Sequence, residues 1–453
     1  MKKKLMIALT LVLSLLLPCT VSADTTGSKS TGIKYQIRAI GQYANWDGVS
    51  NVSQFADADG SYCFAYDNSE SVVIVRTKNG KPVKKTITLK KEYPLFGGVA
   101  CDSDGYYYLV TGRENSTSDT EKDTIFISKY GKKGKLLKTV GDNGSSSLGY
   151  WYNSSFNTRV PFDGGNCDLA INGNYLVVHY AREMYSGHQS NSVLAVDITT
   201  MEKVNIGNIY SSHSFAQRAI PHGNGFILAS EGDCYNRAFT VTTVSDTTWG
   251  TSRDNDIFHF WVEKGTFDRY DMFALNDNFA HMGGLVSVNE STAALVGTSA
   301  KSLSQKAASE NEQLFIQIFD PSKPLDSASA YVTSGNRSGL SGNNGDEQVT
   351  DYGVKWLTSY SVNQRIACPQ VATAGDGKIV ILYELYKNNN YKGVYYMVLD
   401  QKGNIVTKKT RYSANARLNP CEMPVSSGNT IYWTGNAKNS AGDTMYIYSL
   451  TID

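Results

Sequence analysis

The chain is poor in proline, with 10 residues in 453, and has no C-x-x-C pair among its seven cysteines. The missing cysteine pair removes a zinc ribbon or a thioredoxin-type redox site. No second apolar run approaches the 18 residues of a membrane-crossing helix once the first is set aside. Charge of one sign is missing too: 43 Lys and Arg stand against 42 Asp and Glu. Sequence-independent nucleic-acid binding needs many basic contacts to phosphate, so nucleic acid is excluded as the expected partner. No H-E-x-x-H, G-x-S-x-G or P-loop motif occurs. The six histidines are scattered, so neither a metal site nor a cofactor is implied.

What is present begins at the N-terminus. Lys2, Lys3 and Lys4 precede an apolar run from Leu5 to Leu17, followed by Val21-Ser22-Ala23. This is the layout of an export signal, cleaved after Ala23, so residues 1–23 are expected to be a signal peptide and the protein to be secreted. Lipid attachment at Cys19 is the weaker alternative, because Pro18 stands where a small residue is normal. Cleavage removes three lysines and no acids, taking the formal charge from +1 to −2. No transmembrane segment is expected in the mature chain. Six cysteines remain, at 63, 101, 167, 234, 368 and 421. Most sit among strand residues as small hydrophobes.

Residues 24–453 are rich in tyrosine (29 in the whole chain) and glycine (40), a mixture suited to strands joined by tight turns. A unit recurs: an alternating run, a turn of Gly, Asn or Asp, a second run, a polar stretch and a third run. Asn51–Leu89 shows it around Asp59-Gly60, and Gly97–Val140 around Asp104-Gly105. Further turns lie at Asn172-Gly173, Gly223-Asn224-Gly225, Asn289-Glu290, Gly375-Asp376-Gly377 and Ser427-Gly428-Asn429. Seven copies of a hairpin-rich unit predict an all-β, seven-bladed β-propeller as one domain, because one small sheet cannot bury both faces alone. Six or eight blades, or tandem β-sandwiches, are the alternatives. The last copy is short of a strand, and residues 33–41 are expected to supply it and close the ring.

The copies resemble the blades of secreted bacterial β-propellers. Ser192-Val193-Leu194-Ala195-Val196-Asp197-Ile198-Thr199-Thr200 is similar to the third strand and turn of common propeller repeats. The Gly-His and Trp-Asp marks of the WD repeat and the Ser-x-Asp-x-Gly-x-x-Trp box of sialidases are missing, so the resemblance implies an architecture and no activity.

In such a fold the starts of the inner strands and the links between second and third strands share one face. The links read as long, decorated loops around Arg182, Glu183 and His188, around Glu231, Asp233 and Arg237, and around Glu384. Asp168, Gln217, Arg218, His281, Gln370 and Glu422 start inner strands. A ring of mixed polar groups suits a small polar ligand. These thirteen residues are the candidate ligand-binding set. The expected function is an exported, non-enzymatic binding module for a glycan or protein at or near the cell surface. The alternative is a polysaccharide-active hydrolase or lyase using carboxylates, Tyr or His on the same face. Asp57-Ala58-Asp59-Gly60 and Asp102-Ser103-Asp104-Gly105 read as turns rather than calcium loops, lacking the later oxygen ligands.

Overall fold

The computed structural model describes residues 48–145, 153–232, 238–246, 249, 281–299, 312–323, 354–436 and 445–452, with strand backbone also at 21–22, 28–30, 37–38 and 254–259. Alternating apolar residues with a two-residue period form strands, and the Gly, Asn and Asp turns fold them into antiparallel meanders. Blade 1 starts with inner strand Val52–Ala56 and runs through Tyr62–Asp67 and Ser71–Lys78 to Ile87–Lys90. Blade 2 takes Leu95–Cys101, Tyr107–Gly112, Ile125–Tyr130 and Leu136–Asp142. Blade 3 takes Cys167–Asn172, Tyr175–Met184, Gln189–Asp197 and Glu202–Val204, with Thr158–Pro161 beside the far end of its second strand.

Blade 4 is Ser214–His222, Gly225–Gly232, Ala238–Ser245 and Asp254–His259. Blade 5 is His281–Asn289, Thr292–Ser299, Gln313–Phe319 and Lys355–Trp356. Blade 6 is Gln364–Ala374, Lys378–Lys387, Asn390–Leu399 and Ile405–Ser413. Blade 7 is Val425–Ser427, Thr430–Gly435 and Met445–Ile452. Each inner strand touches the next, and that of blade 7 touches that of blade 1. The protein is a seven-bladed β-propeller, so the six-blade, eight-blade and sandwich alternatives fall away.

Beside the last strand of blade 7 lie Ser28–Ser30, opposite Met445–Ile447, and Val21–Ser22, opposite Thr451–Ile452. The edge is thus paired by residues nearer the N-terminus than 33–41. Of that segment only Ile37–Arg38 is described, and it pairs with Val49–Ser50.

The core is divided among the blade junctions. Ile125, Leu194 and Phe162 pack between blades 2 and 3, Phe239 and Phe315 between blades 4 and 5, and Trp433 and Tyr396 between blades 6 and 7. Corresponding clusters fill the other four junctions. Each blade therefore buries both faces only by having two neighbours. The Asp-x-Asp-Gly segments are tight turns: the Gly60 N–H donates to Asp57 O at 2.8 Å and the Gly105 N–H to Asp102 O at 3.0 Å. Cys63, Cys101 and Cys167 are free thiols, and burial pushes the pKa of Cys63 up to about 12.

Inner strands approach closely where glycine allows it. A Cβ on Gly283 would stand 2.7 Å from the carbonyl oxygen of Pro369 in blade 6, and backbone cannot swing aside. Gly283→Ala is therefore expected to destabilise the protein by about 1–3 kcal/mol, measured by urea unfolding. An unchanged midpoint would show that the two strands have room to part.

Candidate functional site

The face that gathers the inner-strand starts is built by one repeated device. A side chain of one blade accepts a backbone N–H from the next blade or from the link that leads into it. Ser53 Oγ accepts from Val99 N at 3.1 Å, Asn166 Oδ1 from Gln217 N at 2.7 Å, and Asp168 Oδ2 from Ala219 N at 3.0 Å. Glu231 Oε2 accepts from Met282 N at 2.6 Å, and Gln313 Oε1 from Tyr360 N at 2.7 Å. Glu384 Oε1 accepts from Leu418 N at 3.1 Å, and Glu422 Oε2 from Gln54 N at 3.0 Å. An inner strand has no strand on its axial side, so its N–H groups need such acceptors.

Four of the thirteen sequence-nominated residues supply acceptors in these staples. Asp168, Glu231, Glu384 and Glu422 each hold an amide of the following blade or of the link into it. Burial raises the Asp168 carboxyl above its usual range, against the opposing pull of Arg218. Gln217 is buried, its Nε2 donating to Ser214 Oγ at 2.8 Å. Arg218 Nη1 donates to Gln217 O at 2.7 Å. Gln370 lies well inside its strand and donates through Nε2 to Asn419 O and, at 3.1 Å, to Glu422 O. His179 is core: Arg218 O lies 3.1 Å from Nδ1, while Asn191 Nδ2 and Ser230 Oγ reach Nε2 at 3.1 and 3.2 Å. Burial draws its pKa down to about 4.

Two of the three decorated loops turn out to be largely strand, and the third lies mostly outside the described residues. Ala181–Met184 continue the second strand of blade 3 and Gln189 opens the third, leaving a turn at Tyr185–His188. Arg182 is accordingly buried inside the blade and not offered to a ligand. It donates to Ser190 Oγ at 3.0 Å, Thr158 Oγ1 at 3.1 Å and Gly144 O at 3.2 Å. In blade 6, Glu384–Lys387 are strand and only Asn388 and Asn389 turn, both with positive φ. Glu183 pairs with Arg159 at 3.0 Å. Its neighbour Asp163 is raised to about 6, first by burial and then by the Glu183 charge. His188, exposed, has its Nδ1 3.4 Å from His213 Nε2. Asp233 and Arg237 lie outside the described residues.

A polar cluster spans blades 4 to 7 on this face. Glu231 holds the amide next to His281. The His281 imidazole, with 39 % of its side chain exposed, stands 3.9 Å from Glu312 Oε1. Thr298 Oγ1 donates to Glu312 Oε2 at 3.2 Å. Burial lifts the Glu312 carboxyl to about 8 despite the Arg365 charge, so it is largely protonated at neutral pH. Partial burial and then Arg365 hold the His281 imidazole below its usual range, in the neutral form. Arg365 Cζ lies 4.6 Å from the Tyr386 ring centre. Tyr386 donates to Glu384 Oε2 at 3.0 Å, and Arg417 Nη1 reaches the same oxygen at 2.8 Å.

The structure thus brings Glu231, His281 and Glu384 into one neighbourhood and leaves Glu183 and His188 in a second patch on blade 3. Glu312, Arg365, Arg417 and Asp163 were not nominated by sequence. Arg365 carried a usable signal: it opens the inner strand of blade 6, five residues before Gln370. A separate cleft of about 580 Å³ opens where the first-to-second-strand turns of blades 4 and 5 meet, bordered by His222, Asn224, Glu290 and Asp320. It holds none of the nominated residues.

No family model matches the chain, and no curated protein matches it. Solved structures similar to it include the N-terminal domain of Nup159, 11% identical, covering 94% of this chain and 97% of that one at a TM-score of 0.37. The WD40 repeats of RRP9 are 11% identical over 96% of this chain and 100% of that one, at 0.44. A Trypanosoma rangeli sialidase is 12% identical over 81% of this chain and 57% of that one, at 0.37. The seven-blade assignment stands on the strand pairing above.

Glu312 gives a pH signature. Its folded pKa of about 8 exceeds the 4.5 of a free glutamate. Its favourable contribution is full below pH 4.5 and is lost as pH rises through 8. Glu312→Gln should therefore gain on the native protein as pH rises across that window, by up to about 1.4 kcal/mol per unit. Parallel stability–pH curves for the two proteins would contradict a buried, protonated Glu312.

Proposed function

We propose that the protein is an exported, non-enzymatic binding module that recognises a glycan or protein at or near the cell surface. Binding takes place on the face where the inner strands begin. The observation that carries this reading is the use of the candidate acids. Asp168, Glu231, Glu384 and Glu422 each accept a backbone amide of the next blade or of the link that leads into it. A carboxylate held in that way cannot swing to a scissile bond or change protonation freely without loosening a blade junction. What the face then offers is a rigid surface of paired and stacked polar side chains, which suits recognition. Export is part of the proposal and rests on Lys2–Lys4, the apolar run to Leu17 and Val21-Ser22-Ala23.

One observation favours the alternative, a polysaccharide-active hydrolase or lyase. Glu312 as a protonated carboxylic acid and His281 as a neutral imidazole, 3.9 Å apart, are suited to giving and taking a proton. A glycan array probed with residues 24–453, with a product assay on every hit, separates the two. Binding without product is expected. Turnover that disappears in both Glu312→Gln and His281→Ala would replace the binding reading with the enzymatic one.

A further inference from the structure

We infer, resting on the binding reading above, that the ligand is an acidic glycan and that Arg365 receives its carboxylate. Arg365 is half-buried and opens the inner strand of blade 6, opposite Tyr386 in the antiparallel register. Two other arginines of this face already have carboxylates: Arg159 holds Glu183 at 3.0 Å, and Arg417 holds Glu384 at 2.8 Å. Arg365 has none within ion-pair distance among the described residues. It stacks against the Tyr386 ring, 4.6 Å away, and its charge reaches Glu312 and His281. Stacking on an aromatic face fixes the plane of a guanidinium and leaves its N–H edge open, the geometry that matches a carboxylate with two parallel hydrogen bonds. A ligand carboxylate would meet this open edge as a charge-assisted pair.

The neighbours select a sugar over an acidic peptide. Glu312 and Thr298 supply uncharged donors and acceptors, as does His281 in its neutral form. One cation among neutral hydrogen-bonding groups matches a uronic acid unit, which carries one carboxylate and several hydroxyls. An acidic peptide would present successive charges to a face where Arg159 and Arg417 are already paired with carboxylates.

The test measures binding of residues 24–453 to polygalacturonate, alginate, neutral dextran and poly-L-glutamate by biolayer interferometry. Both uronate polymers are expected to bind in preference to dextran. Arg365→Ala should weaken them by roughly ten- to a hundredfold, and Arg365→Lys, which keeps the charge but not the planar fork, should restore only part. Arg411→Ala, exposed on the outer strand of blade 6, serves as the control and should bind like the native protein. Circular dichroism confirms that each variant is folded. Equal binding of dextran and uronates, indifferent to Arg365, would overturn the inference while leaving a glycan-binding module standing. Binding of poly-L-glutamate alone would overturn the glycan assignment. Absence of binding to all four would also overturn it, and the wider array then decides whether the binding reading itself survives.

Discussion

The innermost strand of a propeller blade has a neighbour on one side only. Its other edge faces the axis, where no strand can pair with it, and a buried N–H left without an acceptor costs about 1–3 kcal/mol. This protein meets the constraint with side chains passed from each blade to the next. Asn166, Asp168 and Glu231 all reach an amide 51 residues further along the chain, one blade away. Glu422 reaches Gln54 across the seam where the ring closes. These bonds set the order and spacing of the blades, and the apolar clusters between blades supply the bulk of the burial.

The arrangement has a consequence for function. Polar residues gathered around an axis resemble a binding or catalytic ring, and several here are structural. A carboxylate that accepts a main-chain N–H of the next blade is fixed in position. Under the proposed binding reading, the surface for a partner is displaced from the axis towards blades 5 and 6, where Glu312 and Arg365 lie. The second patch, around Arg159, Glu183 and His188 on blade 3, shares the face and extends it.

The fold was largely legible in the sequence, since turn residues and two-residue alternation are local signals. Asp59-Gly60, Asn172-Gly173 and Ser427-Gly428 each mark a hairpin that the structure contains. The lengths of the links were not legible. Ala181–Met184 and Glu384–Lys387 carry charged and polar residues that read as loop, but Arg182 and Glu384 are buried by partners distant in sequence. The start of the blade 6 inner strand was misplaced because a bulge between Ala367 and Gln370, with Cys368 at φ 48°, interrupts its alternation. Of the site, His281, Glu231 and Glu384 could be named from the sequence, and the structure places them near one another on the face where the inner strands begin. Their roles could not be read, because whether a glutamate meets an amide or a ligand depends on a residue in another blade. Glu312 gave no local sign, sitting in a polar stretch between strands.

Blade order and spacing depend on whether the inter-blade acceptors are structural. The most direct measurement is urea unfolding of Glu231→Ala, which leaves the Met282 N–H without its acceptor at a buried junction. A loss of about 1–3 kcal/mol is predicted, with ligand binding retained in the folded protein. Unchanged stability together with abolished binding would contradict it and return Glu231 to the functional site.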